Sequence, residues 1–228
     1  MCIRELLCDA WNQILNSIGW NRWRVRSTSN IIPVPNTSIR ELCDACKTGD
    51  SHRVEQILAR GEVDVNSGED GYTTPLMWAM WKNNPGIVST LLAYPHTRLD
   101  CTDIGGYTGL HWACIHNSSS VIPIIGKDGR CTSDMINLRN AWGSTALIAA
   151  VERGYLDCVK EMDKLEGTNF ETKNSQGETL LEVGRRKNHA TVVHYLTERS
   201  SQVTEDVATN TTERMNLIEH NVKRKMKA

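Results

Sequence analysis

Thr74-Pro75-Leu76-Met77-Trp78-Ala79 returns in altered form as Thr108-Gly109-Leu110-His111-Trp112-Ala113 and again as Thr145-Ala146-Leu147-Ile148-Ala149-Ala150. With the leucine as origin, Leu42, Leu76, Leu110, Leu147 and Leu181 stand 34, 34, 37 and 34 residues apart. Each is followed three positions on by a small residue: Ala45, Ala79, Ala113, Ala150 and Gly184. Two further apolar series, Val54, Val88, Ile122, Val159, Val193 and Ile57, Leu91, Ile125, Met162, Leu196, keep the same steps, and Val65, Leu99, Ile136, Phe170 run 34, 37, 34. Independent series that share one period and one irregularity mark a chain of stacked structural units. Leu91 to Ile125 is 34 residues but Leu99 to Ile136 is 37, so three additional residues fall in Gly126-Lys127-Asp128-Gly129-Arg130. That composition suits a surface loop.

Within a unit, a leucine and a small residue three positions later lie on one face of a short helix and let a neighbouring helix approach closely. Polar breaks follow at Gly49-Asp50, Asn83-Asn84, Asn117-Ser118, Gly154-Tyr155 and Asn188-His189, of the kind that end one helix and cap the next. The second apolar series then predicts a second helix, and a Gly/Asp/Asn-rich stretch leads into the next unit. Pro123 falls near the first turn of the third unit's second helix, where it is tolerated, and makes that unit the least regular.

The segments around Leu76, Gly106-Tyr107-Thr108-Gly109-Leu110-His111-Trp112-Ala113 and Gly143-Ser144-Thr145-Ala146-Leu147 resemble the ankyrin-repeat signature. The resemblance runs from Ser38 to Arg199 and implies an all-α, ankyrin-like helix-turn-helix solenoid of about five repeats with short β-hairpin turns. It also implies that His111 is a turn-stabilising group. The first unit departs from the pattern with Arg40-Glu41 before Leu42, the fifth with Gly184, and Tyr72-Thr73-Thr74 reads as one residue more than usual in the second hairpin.

A net charge of -1, from 26 basic and 27 acidic side chains, gives no global field that draws the chain to nucleic acid. Eight scattered cysteines do not form a disulfide framework. With no secretory leader pattern, they read as reduced thiols in a soluble protein of the cytoplasm, with the nucleus as a second compartment. Cys43-Asp44-Ala45-Cys46 has the spacing of redox and zinc sites, but no second pair accompanies it and Ala45 belongs to the structural series. His111, Cys114 and His116 are close in sequence, yet the repeat already reserves the histidine position. The sequence therefore predicts no catalytic or metal site, no cofactor and no small-molecule substrate.

Residues 1–37 are read as an N-terminal amphipathic helix and linker. Ile3, Leu6, Leu7, Ala10, Ile14, Leu15 and Ile18 follow helical spacing, and Trp20, Arg22, Trp23, Arg24 and Arg26 come after them. This stripe either covers the open side of the first unit or docks on a membrane surface or partner. Residues 200–228 read as a polar, disordered tail ending in the basic run Lys223-Arg224-Lys225-Met226-Lys227.

In a repeat stack the turn tips and the exposed ends of the first helices share one concave side. The repeat register puts Tyr72 and Thr73, Ile104 and Tyr107, Trp142 and Ser144, Gln176 and Glu178 at the tips. It puts Lys47, Trp81 with Lys82, Ile115 with His116, Glu152 with Arg153, and Arg186 with Lys187 at the helix ends. Trp81, Tyr107, Ile115 and Trp142 are large apolar groups at solvent positions, whereas Trp78 and Trp112 are assigned to the core. The expected protein-binding residues are Tyr72, Trp81, Lys82, Ile104, Tyr107, Ile115, His116, Trp142, Arg153 and Arg186, with packing within the stack as the other reading of the aromatics. The expected function is a non-catalytic adaptor, scaffold or inhibitor that binds another protein. The alternatives are a membrane-docked scaffold, or the binding fragment of a larger enzyme or channel.

Overall fold

A computed structural model describes residues 37–70 and 72–202. The chain divides into two units, residues 1–34 and 35–228, and the described residues belong to the second. The expected N-terminal helix and the tail from residue 203 onward lie outside the described residues. The helix over residues 190–202 continues past 199, so residues 200–202 are helical rather than the start of a disordered tail.

The described part is a succession of short helix pairs. The first helices are α1 (Thr37–Thr48), α3 (Pro75–Trp81), α5 (Gly109–Ile115), α8 (Ala146–Arg153) and α10 (Leu180–Arg186). The second helices are α2 (Ser51–Arg60), α4 (Pro85–Ala93), the short α6 (Ile122–Gly126) after a 3-10 turn, α9 (Leu156–Asp163) and residues 190–202. A further turn of helix, α7 (Ser133–Ile136), precedes the fourth pair. Each first helix packs against the first helix of the next pair, α1 on α3, α3 on α5, α5 on α8 and α8 on α10. Thr74, Thr108, Thr145 and Thr179 cap four of them, each hydroxyl accepting the N–H three residues on. Gly49, Asn83, Asn117, Gly154 and Asn188, one per break, all take the left-handed conformation that stops a helix.

Leu42, Leu76, Leu110 and Leu147 are buried, with Ala45, Ala79, Ala113 and Ala150 behind them, and so are Ile57, Leu91, Ile125 and Met162. The fifth unit is different. Leu181, Val193 and Phe170 are only partly buried because no further described unit stacks on them, and Leu180 takes the buried place instead. Over that edge the Arg199 guanidinium lies 3.6 Å from the Phe170 ring centroid, its Nε 2.6 Å from an Asp163 oxygen.

The turns close by side-chain acceptors more than by strand pairing. Asp103, Asn140 and Asn174 each accept two backbone N–H groups of their own loop at 2.9 to 3.0 Å. These Asx bonds use the donors a ladder would need, and among the described residues the only β pairing is the isolated Lys173–Thr179 bridge. The second hairpin has no additional residue: Val65 and Leu76 are eleven residues apart, as are Leu99 and Leu110, Ile136 and Leu147, Phe170 and Leu181. What moves is the acceptor, to Asp70, whose carboxylate takes the Tyr72 and Thr73 amides. Thr73 is consequently buried rather than presented at a tip.

Polar clamps tie neighbouring units. Asn66 donates to the His96 carbonyl at 2.7 Å and accepts the Arg98 amide at 2.8 Å; Asn137 repeats this on Gly167 and Asn169 at 2.7 and 2.9 Å. At the matching position between them stands Asp100, which cannot donate and pairs with Arg98 instead. There Arg130, from the three-residue insertion, reaches back to the carbonyls of Leu92 at 2.7 Å and Thr97 at 2.9 Å, held by Asp128. Arg130→Ala is therefore expected to lower unfolding free energy by about 1 kcal/mol in denaturant titration, and an unchanged midpoint would show that the insertion carries no clamp.

His111 is buried. Its Nδ1 accepts the Thr108 amide at 3.2 Å, so the proton is on Nε2, which donates to the Ser144 carbonyl of the next unit at 3.0 Å. Burial pushes its pKa below the ordinary histidine value, the Ser144 bond and the Asp103 charge opposing that only in part. The unfolded chain then takes up the proton first. The stability this histidine contributes is full above about pH 6.5 and is lost as pH falls from there through the lower folded value. Denaturant midpoints measured from pH 7.5 to 5 should fall for the native chain and fall less steeply for His111→Gln.

Candidate protein-binding face

The first helices are buried on most of their circumference. Counting from the ladder leucine, the residues at +1, +3 and +4 are buried in the second, third and fourth units: Met77, Ala79 and Met80; His111, Ala113 and Cys114; Ile148, Ala150 and Val151. Only +2, +5 and +6 are left to face outward, a spacing that lines one side of a helix. The face is thus built from Trp78, Trp81 and Lys82 on α3, Trp112, Ile115 and His116 on α5, Glu152 and Arg153 on α8 above the buried Ala149, and Arg186 and Lys187 on α10, where the +2 residue Val183 is buried.

Trp78 and Trp112 therefore stand at the edge of the core rather than within it, Trp78 packing against the buried cluster. Residue +2 sits about 200° round the helix from the leucine, and both rings are only partly buried. They join Trp81 and His116 in a continuous aromatic ribbon across two units. Trp78 and Trp81 stack at 4.9 Å between centroids, Trp81 and Trp112 meet at 5.2 Å, and the His116 ring lies 4.6 Å from Trp81 and 5.6 Å from Trp112. The Trp112 indole N–H donates to Asp103 at 3.0 Å. Lys47 Nζ lies 4.4 Å above Trp78 and Lys82 Nζ 4.9 Å above Trp81, distances at which a cation is attracted by the ring face.

In the fourth unit the +2 residue is Ala149, and the ribbon stops. The space opens into a hollow of about 400 Å³ walled by Tyr107 and Trp142, floored by Ile115 and Ala149, and rimmed by Glu152, Arg153 and the Asn174–Gln176 turn. The Tyr107 and Trp142 rings lie 5.4 Å apart. Gly105 makes room for them: a Cβ there would sit 2.9 Å from the Tyr107 ring and 3.0 Å from that of Trp142. Trp142, Ile104 and Tyr72, at three successive tips, are 61%, 59% and 49% exposed.

The ten expected residues thus fall into groups. Trp81, Lys82 and His116 belong to the ribbon; Tyr107, Ile115, Trp142 and Arg153 line the hollow; Tyr72 and Ile104 stand at the tips. Arg186 is set apart, its guanidinium bidentate on Glu178 at 2.8 to 3.1 Å. Lys47 is likewise engaged by Glu69 and Asp44. Trp78, Trp112 and Ala149 are the positions the sequence reading missed. Helical phase relative to Leu76, Leu110 and Leu147 is the signal that points to them.

The cysteines and histidines weighed for chemistry are committed elsewhere. Cys43 and Cys46 are buried in the first unit, and burial pushes the Cys43 thiol up to about 12 and Cys46 higher. Cys114, hydrogen-bonded to Cys158 and fully buried, is held well above the ordinary thiol range. Among the described residues no group of His, Cys, Asp or Glu side chains is placed to hold a metal ion, and no helix is long and apolar enough to cross a membrane.

Residues 42–135 match the family described as ankyrin repeats in three copies. Over 168 residues, 69% of this chain and 8% of the other, the sequence is 27% identical to ankyrin repeat domain-containing protein SAT10 of Stachybotrys chartarum. Over 117 residues, 50% of this chain and 11% of the other, it is 28% identical to inversin of Homo sapiens. Over 71 residues, 31% of this chain and 9% of the other, it is 35% identical to palmitoyltransferase AKR1 of Debaryomyces hansenii. The chain matches about a tenth of the length of these relatives. With the period, the capped Thr-x-Leu segments and the stacked helix pairs, these likenesses show that residues 42–135 are ankyrin repeats, a fold that generally mediates protein–protein interaction.

Proposed function

We propose that this chain acts as an adaptor, scaffold or inhibitor in the cytoplasm or nucleus, holding a partner protein against the face formed by the +2, +5 and +6 residues and the turn tips. The observation that carries this reading is the aromatic ribbon and its neighbouring hollow. Stacking three tryptophans and a histidine on one another conceals only part of their apolar surface. The remainder lies beside three exposed apolar tips, on the side where a repeat array presents its groove. Large rigid rings bury much area at little cost in rotamer freedom, which is why they dominate binding energy at interfaces. A palmitoyltransferase among the relatives, and the small share of each relative that is matched, favour a second reading in which this chain is the partner-binding part of a longer protein.

Trp142, exposed at its tip, gives the cleaner test. Trp142→Ala should weaken partner capture by on the order of 2 kcal/mol and leave the melting temperature unchanged. Trp81→Ala should weaken capture too, with a loss of stability of about 1 kcal/mol because its ring is stacked on three others. Affinity purification with quantitative mass spectrometry, native chain against the Trp81/Trp142 double variant, reads this out. A partner set recovered equally by both would remove the aromatic face from consideration.

A further inference from the structure

The +6 position of the first helices is Lys82, His116, Arg153 and Lys187 in four successive units. All four are exposed at the carboxyl ends of α3, α5, α8 and α10. Resting on the protein-binding reading above, we infer that this row is a recognition stripe for an acidic segment in extended conformation, its carboxylates spaced to meet one basic side chain per repeat.

Cations at helix carboxyl ends also suit the helix dipole, so the row alone does not make a site. The charge pattern around it adds the second observation. Lys47 and Arg186, the basic residues at the neighbouring +5 position, are neutralised within the chain by Glu69 with Asp44 and by Glu178. Lys82, Arg153 and Lys187 have no ion pair among the described residues, and Lys82 rests only on the Trp81 ring. The turn carboxylates Asp70 and Asp103 have both oxygens engaged by donors of their own unit. Glu152 remains, and it lies within the field of Arg186. The face thus keeps an excess of positive charge along one line, with the internal carboxylates held off that line. The same line passes the apolar hollow, since Arg153 is one of its rim residues.

Spacing selects the conformation of the partner. Consecutive first helices pack directly, which puts their axes roughly 8–10 Å apart. An extended chain in the polyproline II conformation has three residues per turn and advances about 3.1 Å per residue, so every third side chain points to the same side and comes level with the next repeat. A segment with glutamate or aspartate at every third position therefore meets Lys82, His116, Arg153 and Lys187 in turn, and an apolar side chain between the second and third carboxylates comes over the hollow. A compact acidic cluster reaches only one or two of the four.

Fluorescence anisotropy on the full chain tests this with a labelled peptide of about a dozen residues, glutamate at every third position and serine or leucine between. The comparison peptides carry glutamine for glutamate, or the same residues with the glutamates in one block. The spaced acidic peptide should bind about tenfold or more tightly than either, more weakly as salt rises. Lys82→Glu, Arg153→Glu and Lys187→Glu should each weaken it by about three- to tenfold, while Lys127→Glu, an exposed charge in the insertion, should not. Arg153→Gln, with a melting curve beside it, separates lost recognition from lost folding. Equal binding of spaced and blocked peptides, indifference to glutamine, an equal effect of Lys127→Glu or no binding at all would each overturn the stripe. Tryptophan-dependent capture of a partner that persists after such a result leaves the aromatic face standing and removes only this inference. Loss of that dependence with the peptide result intact removes the aromatic reading instead.

Discussion

No unit of this chain can bury its own apolar surface, and the seam between units is what the structure depends on. First helices of seven residues, such as Pro75–Trp81 and Gly109–Ile115, are too short to persist alone in water. They hold because Leu76, Ala79 and Met80 meet Leu110, Ala113 and Cys114, and these meet Leu147, Ala150 and Val151, in one continuous buried cluster. Alanine at +3 sets the closeness of approach. Gly184 extends the same logic in the fifth unit, where a Cβ would press within 3.0 Å of Val193. The cost of stacking is that backbone groups at the junctions leave water, and the side chains there answer it one by one: His111 to Ser144, Ser118 to Trp81, His189 to Glu152.

The three-residue insertion fits the same accounting. Asn66 and Asn137 hold two junctions with an amide that donates and accepts at once, a combination a carboxylate cannot supply. Asp100 occupies the intervening place, and at that junction the longer loop brings in Arg130, a donor-only group that serves two carbonyls from the other direction. A departure in length and a departure in residue type thus meet at one junction, and together they keep the seam closed.

Period, helix pairs and core series were legible in the sequence because buried positions repeat under one constraint, the seam. The left-handed breaks were legible for the same reason, since only glycine and asparagine stand at Gly49, Asn83, Asn117, Gly154 and Asn188. Burial of the two tryptophans was misjudged because Trp78 and Trp112 are flanked on both sides by core residues, and an apolar type next to a core series reads as core unless its helical phase is counted. The partial burial of Leu181 and Phe170 was misjudged for the opposite reason: a periodic pattern predicts a neighbour, and among the described residues no further unit stacks on the fifth. The pairing of Arg186 with Glu178, eight residues apart across a turn and a helix, has no signature in spacing at all.

The residues that fix the fold and the residues free to recognise a partner are therefore different sets on the same helices. In the second, third and fourth units a change at +1, +3 or +4 opens or overfills the seam, whereas a change at +5 or +6 alters mainly what the face presents. Substitution at these outward positions explains how the character of the face shifts along the stack without a change in backbone. Tryptophan at +2 in two units gives a flat aromatic wall, alanine at +2 in the next gives a hollow beside it, and valine in the last closes the row with a buried residue. The +6 position stays basic through all four. An apolar contact that varies from unit to unit, set beside fixed charges at Lys82, Arg153 and Lys187 with the His116 imidazole between the first two, supplies two terms that the inferred partner would satisfy together: side chains of matching size in sequence, and carboxylates at the interval of the repeat.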